Sequence, residues 1–306
     1  MQQASEVNLN VQLKGHFSLV AIKADGSGRR ELAEFENLIL NQGLNLLHTT
    51  GSTNVWCRVG SGSTAPAVGQ TALVAQIAGT QTLTAQTVTS DSVAPYPVIV
   101  SRTYRFGQGQ AAGNIAEVGV GSDQSSPGTL FCRALVLDGN GQPTTITVLA
   151  DEYLEVTYRL TIYPAVADSL STVNLAGVET SVRLRPANLG TNSWANTTNF
   201  LRGPILDGAG YGGVSASGVG PVTSQPENQI GFFPSGAIRP YTPGSYFRDA
   251  DVSVALDQGN TVPGGIKSLL FSFQYWGYYQ AEFNPPVAKN NTQIFTLRFR
   301  VTLARR

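Results

Sequence analysis

The chain has 306 residues, with 20 basic and 20 acidic groups giving a formal net charge of zero; 13% of residues are charged and 42% hydrophobic. Globular domains usually carry about 25% charge. A disordered chain needs low hydrophobicity with high net charge, and a nucleic-acid binder needs a clustered positive excess, so both classes are disfavoured.

The length suggests about two domains, each able to bury its own core. Residues Met1-Gln2-Gln3-Ala4-Ser5-Glu6 lack the basic start and apolar run of a secretory signal, and no later run reaches the ~18 to 20 apolar residues of a membrane helix. The expectation is a protein made in a cytoplasm that stays soluble or leaves within a larger particle.

Val7 to Leu13 and His16 to Ile22 alternate as half-buried strands do. Phe35, Leu38, Ile39, Leu44 and Leu47 then recur at helical spacing between Glu34 and His48, with Gly51 closing the run, which predicts a helix. After the loop from Gly60 to Pro66, a weaker helical pattern covers Gln70 to Ile77. Strands are expected at 55–59, 98–106, 115–120, 130–137, 145–149, 182–185, 252–256 and 269–274. Asp138-Gly139-Asn140-Gly141 reads as a hairpin turn. The clearest alternation is Leu154, Val156, Tyr158, Leu160 and Ile162, repeated at the C-terminus by Phe295, Leu297, Phe299, Val301 and Leu303.

Short strands divided by the 33 Gly, 16 Pro and other turn residues predict a mainly β protein. We expect antiparallel β-sandwich-type domains with one short helix in the N-terminal half, divided as 1–164 and 165–306. Gly113 to Val120 is loosely echoed by Gly264 to Phe271, which fits either a duplication or the chance likeness of short strands. Residues 203–250 read as a long Gly/Pro/aromatic loop. Its Tyr211, Phe232, Phe233, Tyr241 and Tyr246 gain nothing from solvent, so the segment is expected to be ordered by contact.

Little in the chain points to catalysis. His16 and His48 are the only histidines, and no G-x-S-x-G elbow accompanies them. Cys57 and Cys132 sit in apolar contexts that favour buried free thiols over a disulfide, and no Cys/His spacing suits a metal. The carboxylates weighed for glycan hydrolysis are Asp151 with Glu152, Asp249 with Asp251, and Glu117; the first two pairs sit where acidic residues cap turns. Gly60-Ser61-Gly62-Ser63-Thr64 lacks the lysine of a phosphate loop. No cofactor is expected. Arg159, Arg183, Arg185, Arg298 and Arg300 occupy polar strand faces, as solvent-facing residues or as intersubunit contacts.

The segment Phe35-Glu36-Asn37-Leu38-Ile39-Leu40-Asn41-Gln42-Gly43-Leu44, followed by Val59-Gly60-Ser61-Gly62-Ser63-Thr64-Ala65-Pro66-Ala67-Val68-Gly69-Gln70-Thr71-Ala72-Leu73, resembles structural proteins of tailed bacteriophages, of the tail-fibre and baseplate kind. Their pattern is F-x-N-L-I-L-x-x-G-L, then V-G-x-G-x-T-A-P-x-x-x-Q-T-A-L. The likeness extends through Asn114 to Gly121 and Leu130 to Leu135 and ends near Tyr163.

The resemblance implies a non-enzymatic virion protein of the phage tail, synthesised in a bacterial host cytoplasm. Its partners would be itself, as a homotrimer, and other tail proteins, with neither nucleic acid nor membrane insertion. A receptor-binding protein contacting the host surface is the alternative, ahead of a capsid decoration protein or a glycan hydrolase. Candidate interaction residues are the five loop aromatics, the cluster Tyr275, Trp276, Tyr278 and Tyr279, and the strand arginines Arg298 and Arg300.

Overall fold

A computed structural model describes residues 7–49, 53–175, 177–191, 212–232, 235–273 and 277–306. In chain order the elements are β1 (Val7–Lys23), β2 (Arg29–Glu31), β3 (Phe35–Glu36), β4 (Leu38–Ile39), α1 (Asn41–Leu47), β5 (Trp56–Gly60), β6 (Gln76–Thr80), β7 (Leu83–Ser90), β8 (Val98–Phe106), β9 (Gly113–Ile115), β10 (Glu117–Gly121), β11 (Leu130–Leu135) and β12 (Ile146–Val148). They continue with β13 (Glu152–Pro164), β14 (Ser169–Leu175), β15 (Val178–Ala187), β16 (Gly212–Ser215), β17 (Ile230–Phe232), β18 (Ser235–Ile238), β19 (Phe247–Val254), β20 (Ile266–Phe273), β21 (Gly277–Val287) and β22 (Phe295–Arg305). The chain is mainly β, with antiparallel sheets and a short helix in its N-terminal half.

Two compact units can be told apart. The first comprises residues 13–89, 99–162 and 305–306. One of its sheets runs β1-β13-β8-β7, with β2 and β3 on β1, and the other runs β4-β11-β10-β5-β6. Phe17 of β1 and Phe131 of β11 both meet the Tyr158 ring of β13, at 5.0 and 6.5 Å between centroids, so aromatic packing joins the two sheets. Alternation selects these side chains: β13 buries every second residue from Leu154 to Ile162, as its sequence predicts.

The second unit is formed by described residues within 1–12, 90–98 and 163–304. Its six-stranded sheet has the order β14-β15-β21-β20-β16-β17, and β18-β19-β22 lies in its other sheet. Phe299 of β22 stacks on Phe271 of β20 at 4.1 Å, and Phe295 meets Phe283 edge-on at 5.3 Å. The apolar stripe read at the C-terminus is thus the inner face of one sheet.

Several expectations are corrected. The helix expected from Glu34 to His48 is confined to Asn41–Leu47, preceded by β3 and β4. Asn37 and Leu40 donate their backbone N–H groups to Gly15 and Phe131 carbonyls, so strand partners take the donors an earlier helical turn would need. The helix lies so close to β11 that a Cβ at Gly43 would sit 2.0 Å from the Phe131 carbonyl oxygen. No helix forms over Gln70 to Ile77, because a side chain captures the Val74 and Ala75 N–H groups and β6 begins at Gln76. The strand read at 115–120 is two: β9 pairs with β12, and β10 pairs with β5 and β11. The loop read at 203–250 contains β16, β17 and β18 among its described residues.

The Asp138-Gly139-Asn140-Gly141 turn forms as read. Asp138 Oδ1 accepts from the backbone N–H groups of Asn140 and Gln142, and the flanking Leu137 and Pro143 form a bridge.

Cys57 and Cys132 are buried free thiols. They flank Val120 on opposite sides, on β5 and β11, which places them about 10 Å apart, beyond the reach of about 7 Å for a disulfide. Burial pushes both thiols up, Cys132 to about 12. The native protein should therefore resist a thiol-specific chromogenic disulfide at neutral pH and release a signal for both cysteines after denaturation. A fast native reaction would contradict this packing.

Candidate functional site

The most connected polar site lies in the first unit. Glu117 on β10 and Arg133 on β11 are both fully buried, and Arg133 Nε donates to Glu117 Oε2 at 2.8 Å. The carboxylate also accepts from the backbone N–H groups of Gly62 (3.1 Å), Val74 (3.0 Å) and Ala75 (2.7 Å). Arg133 reaches outward with Nη1 to Gln70 Oε1 (3.0 Å) and Nη2 to the Thr64 carbonyl (2.8 Å). Gln70 Oε1 in turn accepts from the Ala67 N–H.

This pair organises the Gly-rich loop. A Cβ at Gly60 or Gly62 would stand 2.7 or 2.4 Å from Glu117 Oε1, so only glycine lets the backbone wrap the carboxylate this closely. Leu73 closes the loop from below, packed with Leu40 and Leu130. A phosphate loop presents its backbone N–H groups to a ligand anion; here those of Gly62, Val74 and Ala75 are already bound to the protein's own carboxylate. Arg58 on β5, also buried, performs a similar task for the next loop by donating to the carbonyls of Asp123 and Ser126.

The strand arginines have intrachain partners. Asp249 lies directly across from Arg300, and Asp251 from Arg298. Arg300 grips Asp249 through Nε and Nη2 at 2.8 and 3.0 Å, and its guanidinium sits 3.6 Å from the Phe247 ring centroid. Arg298 Nε and Arg239 Nε donate to Asp251 at 2.7 and 3.0 Å. Arg159 pairs with Glu34, Arg183 with Glu282 and Arg185 with Asp168. Arg30 holds Glu152 with two bonds of 2.7 Å.

These pairings bear on hydrolysis. Burial raises the Asp251 pKa, but the bonds from Arg298 and Arg239 outweigh it and hold the carboxyl below its ordinary range. The Arg30 bonds, with the Leu149 N–H, do the same to Glu152. A glycosidase acid needs the opposite shift. His16 stands 3.8 Å from Glu34 and 3.9 Å from Glu36, and burial lowers its pKa in spite of them. His48 is buried at the C-terminal end of α1. Among the described residues no group of three or more His, Cys, Asp or Glu stands ready to hold a metal, and no helix is long and apolar enough to cross a membrane.

The candidate aromatics separate. Tyr241 and Tyr246 flank the turn closed by the Ser245 N–H to the Thr242 carbonyl; both are half-buried, and Tyr246 takes a left-handed φ of 55°. Tyr246 accepts the Leu303 N–H through its carbonyl, so this loop borders the strand that carries Arg298 and Arg300. Tyr278 is half-buried on β21. Tyr279 requires correction as a surface candidate: it is 1% exposed and packs on Phe271 and Phe273 at 6.0 and 5.5 Å, because strand alternation turns it inward. Phe232 ends β17, while Tyr211, Phe233, Tyr275 and Trp276 lie outside the described residues.

A cleft of about 700 Å³ that sequence reading missed opens in the second unit, lined by Leu175, Val178, Pro285, Val287, Ile294 and Phe295. Its walls come from four strands, β14, β15, β21 and β22, and a loop distant in sequence, so no local motif announces it. Its cation, Lys289, is engaged by the Gln258 carbonyl (2.6 Å) and Asn260 Oδ1 (2.8 Å). The lining contains no carboxylate or histidine.

Replacing Glu117 with Gln leaves a buried guanidinium without its counter-charge, which should cost about 3 to 5 kcal/mol and open residues 60–75 to proteolysis. Adding Arg133→Met should restore part of the loss, and denaturant unfolding of the four-member cycle measures the coupling. Additive losses would show that the two groups act independently. For Asp251, a folded-state pKa below the unfolded value means stability present above the unfolded carboxylate range and lost as pH falls through the folded value. Asp251→Asn should therefore be less stable at neutral pH and lose less on acidification, as denaturant midpoints at neutral and acid pH would reveal.

Comparison with protein-family models, with curated proteins and with solved structures finds no match to this chain.

Proposed function

We propose that this chain is a structural protein of a bacteriophage tail, a baseplate component or the virion-proximal part of a tail fibre, working by self-assembly and docking to other tail proteins. One observation carries the reading. The residues that bear the likeness to such proteins are scattered over about a hundred positions, yet many meet around one ion pair. Gly60, Gly62, Thr64 and Gln70 surround Glu117 and Arg133, and Leu73 packs on Leu40 beside them. A pattern whose distant parts form one physical unit supports common architecture better than separate short motifs would.

The chemistry agrees with a scaffold. Asp249, Asp251, Glu152 and Glu117, all weighed as catalytic carboxylates, are held by arginines, and arginine-held carboxylates are suited to rigidity rather than proton transfer. A host-receptor role is favoured only by the half-exposed loop of Tyr241, Tyr246 and Phe247 beside Arg300, since aromatic and arginine side chains are common anchors in recognition.

Mass spectrometry and immunogold labelling of purified particles test the main reading. The chain should be found in virions and localise to the tail. Its absence from intact particles would reject the proposal. Tyr241→Ala with Tyr246→Ala should leave particle assembly unchanged, and a loss of host adsorption in assembled particles would favour the receptor account.

A further inference from the structure

We propose that residues 59–89 form the surface through which the chain binds a second copy of itself, with β7 as the pairing strand; this rests on the self-assembly reading and names its contact. The 31 residues contain no Asp, Glu, Lys, Arg or His, whereas at the chain's 13% charge about four would be expected. Exposure does not explain the omission, for 24 of the 31 are exposed or half-exposed. Solvated surfaces are normally rich in charge, and the centres of protein interfaces are depleted of it. The number of residues also suits a partner, since specific interfaces use about 20 to 30 a side.

Strand order supplies the directional part. β6 and β7, joined through Gln81 and Thr82, are the end strands of the first unit's two sheets. Both sheets therefore end in consecutive strands, and Val74, Ile77 and Leu83 remain 52%, 39% and 40% exposed there. β7 is eight residues long, and none of them is buried on either face. Natural edge strands are protected by lysine, proline, bulges or shortness. Leu83-Thr84-Ala85-Gln86-Thr87-Val88-Thr89-Ser90 has neither lysine nor proline and is long, with good strand propensity at Thr and Val. By contrast, the end strands β4, β17 and β18 have two, three and four residues. The other long one, β14, already buries Val173 and stands across from Glu179 and Arg183.

An open strand edge asks for another strand, because its outward N–H and C=O groups need partners in line. With no charge, this face offers nothing to a nucleic acid or an anionic membrane. A neutral edge can meet a neutral edge of an identical chain without like-charge repulsion. The second copy is thus the occupant this chemistry fits.

The test compares the full chain with Ala85→Lys/Thr87→Lys, at two positions already exposed, and with Asn140→Lys/Gln142→Lys, which adds the same charge in the exposed Asp138 turn. Sedimentation velocity at tens of micromolar should show oligomers for the wild type and the turn variant. The β7 variant should sediment as a monomer with an unchanged far-ultraviolet circular dichroism spectrum, its melting temperature falling only by the stabilisation that association supplies. Hydrogen exchange should show the outward-facing β7 amides, those not bonded to β8, protected in the wild type and unprotected in the β7 variant. If the double variant does not fold, Thr87→Glu provides the same readout. A monomeric wild type, or a β7 variant that assembles normally, would overturn the inference. Particle analysis separates the two proposals: assembly through β7 in a protein absent from virions removes only the tail reading, whereas a tail protein whose β7 variant still assembles removes only this one.

Discussion

A buried charge must be matched or it is not tolerated, and the first unit is arranged around one such match. Glu117 and Arg133 are fully enclosed. Taking both out of water costs several kcal/mol per ion before their attraction is counted. What offsets that cost is the completeness of the surrounding bonds: three backbone N–H groups on the carboxylate, a carbonyl and an amide oxygen on the guanidinium. The geometry of the Gly60 to Ala75 segment follows, because its own donors and acceptors complete the set. A loop held in this way needs no regular secondary structure to be ordered.

The second unit solves the same problem with less burial. Its aromatic interior, in which Phe271, Phe273, Tyr279 and Phe299 are in mutual contact, provides the apolar surface. Carboxylates and guanidiniums line the outward side of β19 and β22, where they face each other in register. Such pairs are partly solvated and individually modest in energy, but they set register, since a one-residue slip would place Asp249 and Asp251 on the inner face. The stacked Phe247 adds a cation-aromatic contact to the outermost pair.

How much of this was legible depends on whether the partner of a group is local. Alternation reveals β8, β13 and β22 because each strand's inner face is encoded by its own residues. The helix over Gln70 to Ile77 is a misreading for the opposite reason: its apolar spacing is real, but Glu117, more than forty residues away, removes the Val74 and Ala75 donors. A signal for that site did exist. Glu117 stands within Ile115-Ala116-Glu117-Val118-Gly119-Val120 and Arg133 within Leu130-Phe131-Cys132-Arg133-Ala134-Leu135, and one charge in an otherwise apolar strand implies burial with a counter-charge. The cleft at Val178 and Ile294 had no such signal, being assembled from segments over a hundred residues apart.

The distribution of charge links these features. A chain with 20 cations spends many of them, including Arg30, Arg133, Arg159, Arg183, Arg185, Arg298 and Arg300, on pairs within itself. Cations fixed in this way keep register and hold loops, but they contribute little free charge to steer a partner. Recognition then has to rely on shape, apolar contact and backbone hydrogen bonding, which act only at short range and reward large, closely fitted surfaces. The same loop that Glu117 and Arg133 hold in place leads through Ala75 into β6 and β7. The buried pair therefore supports the start of the uncharged face, so that the most strongly charged interaction inside the unit helps to shape the part of its surface that carries no charge at all.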